Sequence, residues 1–203
     1  LEFARESDDS EHLRAVAAAL DRIGRIVDDV LTAAREGGAV TDAEPVSLAA
    51  VAWDAWASVD TGDATLDVTT ERTVTADEAR LRRLLENLFR NAVEHGSARP
   101  DSQSRQDAGG NGRAEESSED GVEVRVGSAD GGFLIVDDGV GIPPDERERV
   151  FDPGYSANGT SDGTGLGLTI VERIAEAHDW TVSLTAGSAG GARFEFRPSS
   201  DND

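Results

Sequence analysis

The chain has 203 residues, room for one sizeable domain and an appendage, and its 41 acidic against 19 basic residues give a formal net charge of -22. That balance argues against a nucleic-acid backbone as partner, and the absence of cysteine excludes disulfides and thiolate metal sites. No apolar run approaches the ~18 residues of a membrane span, and no signal peptide is visible.

All 19 basic residues are arginine, and the three histidines, His12, His95 and His178, are too scattered for a dedicated zinc site. The acidic residues are interleaved with apolar segments, which speaks for a folded chain rather than disorder. The sequence begins at Leu1 rather than Met, and the expectation is a piece of a longer protein.

In chain order, Leu1–Arg5 reads as the end of a helix and Glu6–Ser10 as a polar connection. Leu13, Val16, Leu20, Ile23, Val27 and Val30 then recur with the three-four spacing of a paired-helix seam. Gly37-Gly38 ends that helix. Residues 1–38 are therefore expected to be the end of a helical hairpin, and 39–203 a separate domain. Ala39–Pro45 reads as a linker. Ser47 caps a helix to about Val59, with Leu48, Val51, Ala52, Trp56 and Val59 on its apolar face. Leu66 and Val68 mark a short strand, and Val74 opens another before Asp77 caps the next helix.

The helix from Asp77 to about His95 presents Leu81, Leu84, Leu85, Leu88, Phe89 and Ala92 to a core. Asn87, Asn91 and His95 are spaced by four and share one face. Asparagine is a weak helix former, so two in a well-patterned helix need a reason. Either they satisfy buried backbone groups, or they offer amide oxygens to a hard cation.

Residues 97–121 are polar and aperiodic and read as a long mobile loop. Val122, Val124 and Val126 alternate as a strand, Asp130-Gly131-Gly132 is a turn, and Phe133–Val136 is a largely apolar, central strand. It runs into Asp137-Asp138-Gly139-Val140-Gly141-Ile142-Pro143. A carboxylate at a strand end, followed by G-x-G, sets an acceptor beside backbone that can approach a flat ligand; an ordinary Asp-Gly turn is the other reading. Pro144–Val150 is expected as a short helix, with Phe151 packed beneath the loop that follows.

Asp162-Gly163-Thr164-Gly165-Leu166-Gly167-Leu168 alternates three glycines and opens a helix through His178. Unpaired amides and the positive end of the helix dipole suit phosphate there. The G-x-G-x-G spacing follows a polar loop, unlike a dinucleotide fingerprint after a buried strand. A chain without lysine has no Walker A loop. Thr181–Leu184 and Ala192–Phe196 close the domain as strands joined by Gly187–Gly191, and Ser199–Asp203 is expected to fray.

Together, Asn87-x-x-x-Asn91-Ala92, Asp137-x-Gly139-x-Gly141 and Gly163-x-Gly165-x-Gly167 resemble the N, G1 and G2 boxes of the GHKL ATP-binding fold, with Phe151 at the F box. The branch they look like is the sensor histidine kinases of two-component signalling, particularly those of salt-loving archaea, whose acidic, lysine-poor surfaces this composition also resembles.

The resemblance implies an α+β two-layer sandwich, a mixed sheet covered on one face by helices, preceded by a coiled-coil-like helix. It implies that ATP and Mg²⁺ are bound, the metal by Asn91 assisted by Asn87 and the adenine amine by Asp137. Asn87, Asn91, His95, Asp137, Gly139, Gly141, Gly163, Thr164, Gly165, Leu166, Gly167 and Leu168 would line the nucleotide site, beneath a lid of residues 152–162. It further implies a response-regulator receiver domain as partner, homodimerisation through the hairpin, no nucleic acid, and a cytoplasmic location with membrane attachment only through segments outside this chain. The family's acceptor histidine sits on the first hairpin helix; His12 lacks the expected neighbours, so no catalytic residue is assigned within the chain. Two features depart from the family: Glu94 stands where many relatives carry lysine, and the lid lacks a basic residue. Rival readings are a hydrolysing GHKL ATPase, which carries a glutamate base roughly where Asn87 stands, an anti-sigma-type serine kinase, and a nucleotide-sensing or dimerisation module without kinase activity.

Overall fold

The computed structural model describes residues 40–96, 121–155 and 165–199, with the isolated Gly24 and Gly38. The paired-helix segment, nearly all of loop 97–121 and lid residues 156–162 lie outside the described residues.

Three helices pack on one face of a five-stranded sheet. The elements are β1 (Glu44–Ser47), α1 (Leu48–Ala57), β2 (Thr65–Val68), β3 (Thr73–Ala76), α2 (Glu78–Gly96), β4 (Glu123–Ala129), β5 (Gly132–Asp137), α3 (Gly167–Ala177), β6 (Trp180–Gly187) and β7 (Gly190–Pro198). The main sheet has the order β2-β4-β5-β7-β6. Its β2–β4 pair is parallel and the others antiparallel, so the sheet is mixed and β5 is central.

Alternation decides which side chains face the helices. The register lines up Val126, Ile135, Phe194 and Leu184 across β4, β5, β7 and β6. Phe133 stacks on Phe196 at 4.9 Å and meets Trp180 edge-on at 5.3 Å, each pair worth about 0.5–1.5 kcal/mol beyond its burial. The other face is polar: Asp67 and Glu123 flank Arg125, and Arg193 and Arg197 both donate to Glu195.

The core residues expected on α2 are all buried, and Phe89 meets Trp56 of α1 edge-on at 5.3 Å. Asp77 caps α2 by accepting the Arg80 amide at 3.1 Å. Ser47 is the N-cap of α1, which stops at Ala57, two residues short of the expected end.

Two expectations are corrected. Within the expected linker, Glu44 and Pro45 already belong to β1, which pairs antiparallel with β3 in a separate two-stranded sheet. Proline is compatible with such an edge position. In place of a helix over Pro144–Val150 there is a run of turns and a three-residue 3-10 segment, Arg149–Phe151. Neither Pro143 nor Pro144 has an amide to donate, and the amides of Arg149 and Val150 both use the Glu146 carbonyl. At the C-terminus, the Ser199 amide still donates to Asp179 O at 2.6 Å; residues 200–203 lie outside the described residues.

Candidate nucleotide site

The antiparallel packing of α2 and α3 brings the asparagine row to the last glycine of the turn. A Cβ on Gly167 would stand 3.4 Å from Asn87 Oδ1 and 3.4 Å from Asn91 Oδ1. Asn87 is 5% exposed, and its Nδ2 donates to Arg83 O at 2.8 Å. Its nitrogen thus serves backbone, while its oxygen stays turned to Gly167. Asn91 is half-buried. Amide oxygens are neutral, hard donors of the kind Mg²⁺ accepts, and two of them converging on one helix start fit such an ion. Among the described residues there is no cluster of three His, Asp or Glu side chains able to hold a metal.

Gly165 has φ 67°, and its carbonyl accepts the Gly154 amide at 3.0 Å. Thr169, buried in the first turn of α3, donates to Phe151 O at 2.8 Å. The turn is thereby fastened to the segment in front of it. Leu166 and Leu168 are half-buried and pack against the core. Gly163 and Thr164 lie outside the described residues.

At the other end of the asparagine row, Asp137 follows Phe133 and Ile135 in the alternation of β5 and so turns towards the helices. Its Oδ1 accepts the amides of Gly139 at 3.0 Å and Ala192 at 3.1 Å. Burial pushes its carboxyl above the ordinary 3.8, with the neighbouring Asp138 adding to the rise and the two amides opposing it. Asp138 points elsewhere: its Oδ1 accepts the Glu123 amide at 2.8 Å. A Cβ on Gly139 would lie 2.5 Å from the Cα of Gly96, so the G-x-G backbone rests on the last residue of α2. Gly141 has φ 75° and packs against Gly191.

Asn87, Asn91 and Gly167 thus form one group, with Gly165 two residues before Gly167 and packed on Gly154, and Asp137, Gly139 and Gly141 form a second. Asn91 and Gly96 are five residues apart on one helix, about 7.5 Å along its axis, so α2 ties the groups together. His95 is exposed on that stretch. A separate 290 Å³ depression lined by Asp77, Ala79, Arg80, Arg82, Arg83 and Glu86 lies at the opposite end of α2. Sequence reasoning missed two contributors, Gly96 and the Gly190–Ala192 turn. The Gly191 amide donates to Gly139 O at 2.8 Å, and the next amide, that of Ala192, holds Asp137. The only signal in the sequence is the Gly190-Gly191 pair itself, within the join Gly187–Gly191.

An α+β sandwich with an asparagine row, a strand-end aspartate and a glycine-opened helix on its helical side is the architecture of GHKL catalytic domains. The chain belongs to that family: the model described as "Histidine kinase-, DNA gyrase B-, and HSP90-like ATPase" matches residues 76–202. Among curated proteins it is similar to sensor histidine kinase GtrS of Pseudomonas aeruginosa, 34% identical over 117 residues, which is 58% of this chain and 20% of that protein. The chain therefore spans about a fifth of that relative's length.

Two solved structures extend the comparison. The mycobacterial sensor histidine kinase MprB is 26% identical with a TM-score of 0.56, covering 76% of this chain and 99% of the other. Full-length ShkA, solved in complex with AMPPNP, is 27% identical with a TM-score of 0.64, covering 95% of this chain and 39% of the other. The domain is thus similar to the ATP-binding domains of sensor histidine kinases. Among the described residues, no helix is long and apolar enough to cross a membrane.

Proposed function

We propose that this chain is the ATP-binding catalytic part of a two-component sensor histidine kinase. It positions MgATP for phosphoryl transfer to a histidine on a dimerisation hairpin, and from there to an aspartate of a response-regulator receiver domain. The observation that carries the reading is the double convergence on α2. The amide oxygens of Asn87 and Asn91 meet Gly167, and one and a half turns further on Gly96 meets Gly139 beside Asp137. Base and phosphates of one extended nucleotide then have separate seats on the same helix.

The roles follow from chemistry. With Oδ1 of Asp137 already accepting two amides, Oδ2 is the oxygen for the exocyclic amine of adenine. Gly139 and Gly141 keep side chains out of the space beside it. Asn91, with Asn87, would hold Mg²⁺, which when bound supplies the positive charge that a triphosphate needs in a chain of net charge -22. Residues 165–168, which lead into α3, offer backbone amides to the phosphates. Such a site catalyses by orientation and by charge already in place. Asn87, standing where hydrolysing relatives carry a glutamate base, fits a positioning domain better than a hydrolase.

Calorimetric titration of MgATP in molar KCl tests this. Asn91→Ala and Asp137→Ala are each expected to weaken binding at least about tenfold, roughly 1.4 kcal/mol. Unchanged affinity in both variants overturns the assignment.

A further inference from the structure

Helix α3 starts at the phosphate turn and ends in a junction that holds the incoming chain. His178 follows its last residue. The Asp77 amide donates to His178 Nε2 at 3.0 Å, and Nδ1 lies 2.8 Å from Ile174 O. A carbonyl only accepts, so Nδ1 carries the proton and Nε2 accepts from the Asp77 amide. The ring stacks on Trp180 at 4.5 Å. One imidazole thereby ties the end of α3 to Asp77, the cap of α2.

The same corner grips the segment that enters the domain. Arg80, in the first turn of α2, donates from Nη1 to Gly38 O at 2.8 Å. The Val40 amide donates to Ala177 O, at the end of α3, at 3.1 Å. The entering backbone is therefore bonded on one side to the helix that carries the asparagine row and on the other to the helix that the phosphate turn opens. Arg80 is only 20% exposed at its side chain and also lies 3.9 Å from the Asp77 carboxylate, so its guanidinium is held by the cap it adjoins.

We propose that this corner is a positioning clamp, in which Arg80 and the Ala177–His178 junction set the direction in which the chain before Val40 leaves the nucleotide-holding unit. Arg80 is a positioning residue for phosphoryl transfer and touches no reacting atom. The inference rests on the kinase reading. Helix α3, eleven residues long, is about 16 Å from turn to clamp. An altered entry angle at one end moves the phosphoacceptor relative to a nucleotide held at the other, and small displacements of reacting groups cost large factors in rate.

The test uses the full-length protein with its hairpin and compares Arg80→Leu, which keeps an apolar stem but no donor, with Arg80→Lys, which keeps a donor. Expected for Arg80→Leu are MgATP affinity within about twofold of wild type, kcat for autophosphorylation reduced about tenfold or more with KM for ATP unchanged, and faster hydrogen–deuterium exchange at the Val40 amide. Arg80→Lys is expected to recover part of the rate. Wild-type kcat in Arg80→Leu, or unchanged Val40 exchange, overturns the clamp. A wild-type protein that transfers no phosphoryl group overturns the kinase reading instead, and the Val40 exchange, which needs no nucleotide, still decides whether the clamp exists.

Discussion

Asp137 is pulled two ways by its surroundings. Burial raises its carboxyl above 3.8 while the amides of Gly139 and Ala192 favour the ionised form. Because the rise wins, the folded state holds the proton more tightly than the unfolded chain does. The linked stability is therefore fully present below about pH 4 and is lost as pH climbs through the raised folded value. Asp137→Asn keeps an Oδ1 for both amides and removes the buried charge. The variant is expected to unfold at least as hard as wild type at pH 7, with the difference shrinking towards pH 4, in urea titrations at fixed high salt. It is also expected to lose at least about tenfold in ATP affinity, since an amide that must present Nδ2 to the ligand cannot accept the adenine amine. A variant less stable at pH 7 than at pH 4, relative to wild type, would show that burial does not dominate this carboxyl. That Asp137 ends an apolar strand was legible in the run Phe133–Val136; the face it turns to was not, because Leu134 and Val136 are as apolar as Phe133 and Ile135. Its partner Ala192 was not, because 55 residues separate them and only strand order brings β7 beside β5.

At the scale of elements, α2 was the most readable part of the chain. A cap and six apolar positions at helical spacing left one solution, and the burial of Leu81, Leu84, Leu85, Leu88, Phe89 and Ala92 follows it. Proline-containing segments were the least readable: Pro45 hid a strand, and Pro143-Pro144 suggested the start of a helix where turns formed. The contact between α2 and the G-x-G segment was also illegible, since nothing local says that Gly96 will meet Gly139. It predicts a contrast between two substitutions. A methyl at Gly139 would sit 2.5 Å from a backbone Cα that cannot rotate away, so Gly139→Ala is expected to cost about 1–3 kcal/mol. At Gly167 the neighbours are amide oxygens at 3.4 Å, and alanine is the better helix former. Gly167→Ala is therefore expected to keep its thermal midpoint while a methyl between Asn87 and Asn91 weakens MgATP binding. Calorimetric melting beside ligand titration separates the two; a Gly167→Ala protein that binds normally would remove Gly167 from the site.

For the whole molecule, the net charge makes the balance of repulsion and attraction depend on salt. The chain carries -22 over 203 residues, and at ~10 mM salt the screening length is about 30 Å, so charges across the domain repel one another. At ~1 M it falls to about 3 Å and only neighbours interact. Salt also weakens favourable pairs, such as Arg125 with Asp67 and Glu123 and Arg197 with Glu195. Those pairs are exposed at the arginine and worth about 0–1 kcal/mol each, whereas the repulsion engages 41 acidic side chains against 19 arginines. The repulsive term is the larger, so added salt should stabilise. The same screening helps an anionic nucleotide approach an acidic surface, which is why binding is best measured in molar KCl. We predict that the thermal midpoint rises steadily from ~10 mM to ~2 M KCl and that much of the helical circular dichroism is missing at the low end. Full helical signal with an unshifted midpoint at ~10 mM would show that the acidic surface is tolerated without screening.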